Sequence, residues 1–491
     1  MRRSIFLFFL TLYLATTAGH IYTIDSYLNY SVTKAIGSGG RLSMPRSMMT
    51  VEGRGGRNYS KLGIGQSVAG LPLYLAGDAV ERAAPGNLVF RAYSGHVTIP
   101  YGSRLIRCEP QTLIKISDVD GARVFFTALT NAFVTAAICL LFFMLLGSFG
   151  LSARASFLGT LVLGLATPFW IYSRDLFGEP LFTMCLLGAF YVLVRPGGEP
   201  TLKQMGIAGF FSSLGILTRV SFAPIVALLA VYVFWAAKDK RRGLNSAVAY
   251  ALFSLPGLIA LGILNWVRFE GIFTSGYHTA FDKGFSLPVI KGVIWNLFSP
   301  YRSIFLFAPP LAAFFFGVSG FAREHTARLV LVLSVVVYMF ALYSGWWAWH
   351  GGWCWGPRFY LPVMPLLLIP GLIAAGRGGA NIKRAVAALA VAGFAVQLGA
   401  VCINYTAVYD YWIKIGKLDW AETDIYMFSP ITTHWRAMIS TSPIQYDLWI
   451  VQAARVSKPA LAVLAAAVAI SAVFAVRGVT KRLSSAGPGE L

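Results

Sequence analysis

Residues 19–40 read GHIYTIDSYLNYSVTKAIGSGG and follow directly on an apolar run, residues 4–18. Around Asp25, the apolar residues Ile24, Tyr27, Leu28, Val32, Ala35 and Ile36 recur at helical spacing. Ser26, Asn29, Ser31 and Lys34 take the other face, and Gly37, Gly39 and Gly40 stop the helix. The pattern predicts an acidic residue at a membrane surface, carried on a helix that lies along the interface. Taken alone, Asp25 needs no more explanation than the favourable field of a helix N-terminus. The remainder of the chain supplies the other side chains that change this reading.

Outward from that stretch, the chain is apolar almost throughout. It has 491 residues, 57% of them hydrophobic and only 12% charged, with a mean hydropathy of +0.65. A soluble protein carries about twice that charged fraction. Apolar runs recur at residues 4–18, 122–146, 156–170, 181–194, 205–217, 222–237, 247–266, 303–318, 329–342, 359–375, 385–404 and 459–476. Several fall short of the roughly 20 residues of a straight span. The expectation is an all-α polytopic membrane protein of about twelve transmembrane helices, with interfacial helices and a small hairpin in a long first outer loop.

Charge sets the orientation. With the N-terminus cytoplasmic, the short inside loops hold Arg2, Arg3, Arg154, Lys238, Lys240, Arg241, Arg242, Arg323, Lys383, Arg384, Lys481 and Arg482. Of the 20 Asp and Glu, only Glu199, Asp239, Glu324 and Glu490 then lie inside. Chemistry that needs carboxylates belongs to the extracytoplasmic side of a multi-pass cell membrane, of the bacterial inner-membrane kind. The net charge of +21 does not indicate nucleic acid, because the basic residues scatter over loops on both sides. The N-terminus has the make-up of a signal peptide. An uncleaved first span is preferred, since cleavage would leave Asp25 on a loose tail. The five cysteines show no CxxC spacing, so neither a metal cluster nor a disulfide framework is indicated. Sequons at Asn29, Asn58 and Asn404 fall on the outer side.

The organisation follows. Residues 1–18 form the first span and 19–121 an outer loop carrying the candidate acid. Within that loop, residues 52–57 read as a hairpin turn between strands 42–51 and 58–60. Residues 68–79, interrupted by Pro72, form a second surface-lying segment, and 87–120 a small outer subdomain. Residues 122–404 are the transmembrane core, with a short loop at 171–180 and larger outer loops at 268–302 and 343–358. Residues 405–458 are an aromatic-rich outer segment, and 459–491 the last span and a cytoplasmic tail.

Chemistry gathers at span mouths. The loop IYSRDLFGEP, residues 171–180, presents Arg174, Asp175 and Glu179, where acids are costly unless they face water or a partner. A loop decorated for solubility is the plain alternative, but Glu179 stands directly before Pro180 at the mouth of a span. Arg219 interrupts an apolar stretch at another outer turn. Residues 346–358, WWAWHGGWCWGPR, set His350 and Arg358 among tryptophans and glycines. Interfacial anchoring explains most of the tryptophans. It does not explain Gly351-Gly352 or Gly356-Pro357-Arg358, which suit close approach to an anionic headgroup or phosphate. Together, Asp25, Lys61, Asp175, Glu179, Arg219 and Arg358 suit a lipid-linked phosphate ester and an acceptor hydroxyl in need of a base.

These features resemble the GT-C superfamily of integral-membrane glycosyltransferases, in particular the protein O-mannosyltransferases and the lipid A aminoarabinose transferases. The likeness rests on TIDSYLNYSVTKAI, GRNYSKLGIGQSVAGLPLYLAG, YSRDLFGEPLFTMCLLGAFYVL and WHGGWCWGPRFYLPVMPLL, in that order and on one side. It implies a polyprenyl-phosphate sugar donor, a lipid, glycan or protein acceptor, and inversion at the anomeric carbon. It matches Asp25 to the general base, Lys61 to a phosphate-contacting lysine, Glu179 to the acid at the fourth span with Asp175 beside it, and Arg358 to phosphate binding; Arg219, at its own outer turn, is a further candidate for the donor phosphate. A divalent cation on Glu179 or Asp25 is a possible cofactor. Ser26 stands where many relatives have a second acid, and Leu62-Gly63-Ile64-Gly65 where the aminoarabinose transferases have two prolines. A flippase for a lipid-linked sugar is the alternative function. It would favour charges at mid-membrane and repeated halves, and neither is evident. A non-catalytic scaffold would not need the three residues Asp25, Lys61 and Glu179 on one face.

Overall fold

The computed structural model describes residues 1–21, 23–47, 49–91, 96–110, 120–194, 200–277, 283–418 and 429–457, with scattered positions from 462 to 477. Only scattered positions of the last expected span, and none of the tail beyond 477, are among these residues.

The chain opens with α1 (Arg2–Ala15) and α2 (Ile24–Gly39). α2 is the helix expected around Asp25, but its faces are not those predicted. Ser26, Asn29 and Ser31 are buried along with Leu28 and Val32, because protein covers both sides of the helix. The following sheet holds three antiparallel strands in the order β1 (Ser43–Met44), β3 (Asn58–Ser60), β2 (Thr50–Glu52). The hairpin turn at 52–57 is present, with Glu52 opposite Asn58. The first expected strand, 42–51, is in fact two, and both pair with β3, one on each edge.

α3 (Gly65–Ala83) runs through Pro72. A second hairpin, β4 (Val97–Tyr101) and β5 (Arg104–Cys108), supplies structure for the outer subdomain. α4 (Gly121–Ala128) and α5 (Thr130–Ser148) together make one apolar stretch. α6 (Ala153–Leu165), α7 (Phe169–Tyr172) and α8 (Glu179–Val194) follow, with α8 buried nearly all round against α5 and α9 (Leu202–Thr218). α10 (Ala223–Ala236) leads to α11 (Lys240–Phe269), whose apolar length is mostly exposed, as befits a helix against lipid.

Beyond α12 (Val289–Phe298) and α13 (Ile304–Phe307), α14 (Phe314–Ser344) breaks at His325. That break falls in the turn expected between the spans at 303–318 and 329–342. α15 (Met364–Arg377) and α16 (Ala380–Cys402) complete the apolar core, and α17 (Tyr405–Lys414), α18 (Pro430–Ser440) and α19 (Trp449–Val456) form the aromatic outer segment.

Among the described residues, five helical stretches are long and apolar enough to cross a membrane: Gly121–Ser148, Lys240–Phe269, Pro309–Ser344, Arg358–Arg377 and Ala380–Cys402. The expected dozen is not reached on length, because α6, α8, α10 and α12 are apolar but short. The chain is a membrane protein built mostly of helices.

Candidate active site

Five elements deliver the cluster. Asp25 is in the first turn of α2, and Asn29, one turn further on the same face, donates to the Leu176 carbonyl at 2.9 Å. Thr33, a turn further still, donates to the Ser67 carbonyl at 2.9 Å. This inward polar stripe at i, i+4 and i+8 docks α2 against the 171–180 loop and α3. The loop is fixed from the other side by Asn131 of α5, which donates to the Phe177 carbonyl at 2.8 Å. Glu179 opens α8, with Pro180 next to it where a missing N–H costs nothing. Arg219 follows the last turn of α9 in an extended conformation.

Arg358 is placed by the tryptophan loop. Gly351 there has φ +77°, and a Cβ on it would stand 3.0 Å from the Arg358 side chain. The loop is held by a residue the sequence reading passed over. Arg302 is fully buried and donates to the carbonyls of His350 (2.6 Å), Gly352 (2.9 Å) and Cys354 (3.2 Å) and to the Tyr409 hydroxyl (2.8 Å). Tyr172 adds a bond to the Trp355 carbonyl at 2.7 Å, tying this loop to α7.

The charges then meet. Arg358 Nη1 donates to Asp25 Oδ2 at 2.6 Å, and its Nε lies 3.6 Å from Glu179 Oε1. Arg219 Nη2 donates to the same Glu179 oxygen at 2.6 Å. Glu179 Oε2 is buried without a hydrogen-bond partner among the described residues. Glu179 is deeper than Asp25, with side-chain exposures of 2% and 15%. Arg358 packs over Phe177 and Phe359, and Arg219 over Phe359.

Lys61 follows β3, is buried, and lies over the Tyr277 ring. The glycines after it allow close packing. A Cβ on Gly63 would meet the Thr218 carbonyl oxygen at 2.3 Å, so this strand-to-helix turn lies flat on the end of α9 beside Arg219. Burial pushes the Asp25 carboxyl up, but Arg358, Arg219 and Lys61 outweigh it and hold Asp25 below its ordinary range. His350 is pushed down to about 3 by burial and by Arg302 and Arg358, so it is neutral at physiological pH.

The structure thus brings Asp25, Glu179, Arg219 and Arg358 together, with Lys61 within electrostatic reach. Asp175 is engaged elsewhere: it accepts from the Tyr405 hydroxyl at 3.1 Å and from the Leu176 amide at 2.8 Å. Arg174 turns to Asp447, which also accepts from His20 at 2.8 Å. His278 and Asp282 of the 268–302 loop lie outside the described residues. The sequons fare unevenly. Asn29 and Asn404 are buried and hydrogen-bonded inside the fold, so neither is open to a glycosylating enzyme.

Asp25 and Glu179 share the Arg358 guanidinium as a partner. Among the described residues no group of three His, Cys, Asp or Glu is placed to hold an ion.

No protein-family profile matches the sequence, and no curated protein matches it. Solved structures do. ArnT from Cupriavidus metallidurans in the apo state is 12% identical, with a TM-score of 0.50 over 89% of this chain and 75% of that one. The archaeal oligosaccharyltransferase AglB from Archaeoglobus fulgidus, in complex with an inhibitory peptide and a dolichol-phosphate, is also 12% identical. Its TM-score is 0.44, over 88% of this chain and 56% of that one. Over 89% of its length this chain has a fold similar to that of ArnT.

Proposed function

We propose that the chain is a membrane glycosyltransferase that moves a sugar from a polyprenyl-phosphate donor to an acceptor hydroxyl at the extracytoplasmic face, with inversion. The observation that carries this reading is the contact of Arg358 with both carboxylates, Asp25 and Glu179, beside a further arginine and a buried lysine. Cations outnumber carboxylates there, and a phosphate restores the balance.

The two carboxylates have different work. Glu179 is deep and holds both guanidinium groups, so it positions the phosphate binders. Asp25 is nearer to solvent and touches only one of them in a direct bond. A donor phosphate arriving at Arg358 exchanges for Asp25 as the guanidinium's partner. That exchange frees Asp25 Oδ2 to accept a proton. The acceptor oxygen then attacks sugar C1 as the bond from C1 to the phosphate oxygen breaks, and its proton passes to Asp25. A single displacement of this kind inverts the anomeric centre. Negative charge grows on the leaving polyprenyl phosphate, where Arg358, Arg219 and Lys61 are already in place to stabilise it.

The test is transfer of radiolabelled sugar from polyprenyl phosphate by purified protein in detergent. Transfer to a hydroxyl acceptor supports the reading. Movement of intact lipid-linked sugar between leaflets with no transfer contradicts it.

A further inference from the structure

A second group of cations lies at the other end of α2, a helix about 24 Å long at 1.5 Å per residue. Arg41 comes just after that helix, Arg46 follows β1, and Arg57 precedes β3. Together with Ser43, Met44, Pro45 and Asn58 they line one cavity of about 490 Å³. Among the described residues, none of the three forms an ion pair or a side-chain hydrogen bond. Other arginines of the same outer loop do find carboxylates: Arg54 with Glu270, Arg82 with Asp78, and Arg91 with Glu81. Glu52, the acid nearest in register through its pairing with Asn58, is bound to none of the three. Three like charges brought to one cavity from separate stretches repel one another unless an anion joins them.

The depth of this cavity points to the anion. Its sheet is fastened to the end of α11, where Arg54 lies 4.3 Å over the Trp266 ring and Tyr59 meets Phe269 edge to face. α11 is the most exposed of the membrane-length helices, and Trp266 near its end is half exposed. That is the level of the lipid headgroups.

We propose that Arg41, Arg46 and Arg57 form a second anion site, distinct from the Asp25 cluster, which binds a phosphate oxyanion. Guanidinium forks from different directions match phosphate oxygens well. The cavity is larger than a bare phosphate needs, so it accommodates the group that carries it. The phosphate comes from a phospholipid headgroup or from free phosphate in solution. The site does not depend on the function assigned to Asp25.

The experiment uses the full-length protein in mild detergent. Native mass spectrometry follows retention of phosphatidylglycerol against phosphatidylcholine, and thermal shift follows inorganic phosphate. The test variant is Arg41→Gln/Arg46→Gln/Arg57→Gln. The control, Lys203→Gln/Arg241→Gln/Arg242→Gln, removes as many exposed cations elsewhere. Selective retention of phosphatidylglycerol that falls roughly tenfold or more in the test variant alone assigns a headgroup. Stabilisation by inorganic phosphate, lost in the test variant alone, assigns free phosphate. Equal behaviour of wild type and test variant in both arms overturns the site, as does equal loss in the control. If the triple variant does not fold, Arg46→Gln alone is read the same way, with Arg241→Gln as its control.

Discussion

Arg358 reaches Asp25 across 333 positions of sequence, with Nη1 2.6 Å from Oδ2, and the same guanidinium lies 3.6 Å from Glu179. One cation therefore connects the first outer helix to the mouth of α8. Any anion that draws Arg358 away changes the state of Asp25.

A pH signature follows from that link. Asp25 is held below its ordinary value of 3.8 by the three cations around it. A depressed carboxylate pKa means the charged form persists as pH falls, and its favourable pairing is lost only when pH drops through the folded-state value. The acid limb of kcat/KM, which reports the free enzyme, should thus lie below pH 3.8. Donor phosphate displaces Asp25 from Arg358 and adds a negative charge, and both raise the Asp25 pKa. The acid limb of kcat should then lie at higher pH than that of kcat/KM. Coincident limbs in a steady-state pH series would contradict the exchange.

Glu179 holds two buried guanidinium groups, so removing its charge should harm folding as well as turnover. Breaking such a buried pair typically costs about 3–5 kcal/mol. Glu179→Gln is expected to melt at lower temperature than the wild type, and saturating polyprenyl phosphate should restore part of the difference. A Glu179→Gln melt equal to wild type would remove its positioning role.

The phosphate ligands are tested separately. Lys61→Ala and Arg358→Ala should each raise the KM for donor, by roughly tenfold to a hundredfold for loss of a charge-assisted contact. Unchanged donor kinetics in both variants would show that neither side chain meets phosphate.

Gly63 tests the packing that sets Lys61 beside Arg219. Gly63→Ala places a methyl 2.3 Å from the Thr218 carbonyl oxygen. Overpacking of this kind costs about 1–3 kcal/mol. A lowered melting temperature and weaker donor use are expected together, and a silent Gly63→Ala would mean the turn does not lie on α9.

Much of this site was legible because ionised groups at span mouths have few innocent explanations. Asp25, Glu179, Arg219 and Arg358 could each be named from an apolar run and a charge at its end, whereas Lys61, inside the first outer loop, took its role from the family resemblance. The two glycines after Lys61, which depart from the prolines of the aminoarabinose transferases, are what the close contact with Thr218 requires. The face of α2 was misread, because Asn29 and Thr33 are polar yet point inward to backbone carbonyls. Their spacing from Asp25, four and eight residues, was the available signal. Arg302 left no such trace. Its main partners are carbonyls of a loop some fifty residues away, and carbonyls carry no sequence signature. Length alone does not confirm the span count for a related reason: helices such as α8, at 16 residues, are short for a straight span and buried inside the protein.

The most direct test of the central claim is Asp25→Asn in purified protein, read by single-turnover sugar transfer with donor binding measured in parallel. Asn keeps the size of the side chain but cannot take the proton, so the rate should fall by about 10²–10⁴-fold. Donor affinity should be unchanged or tighter, because the residue that competes for Arg358 has lost its charge. If Asp25 only serves the N-terminus of its helix, Asn is nearly as good there and turnover stays close to wild type. That result, with folding intact, would contradict Asp25 as the base.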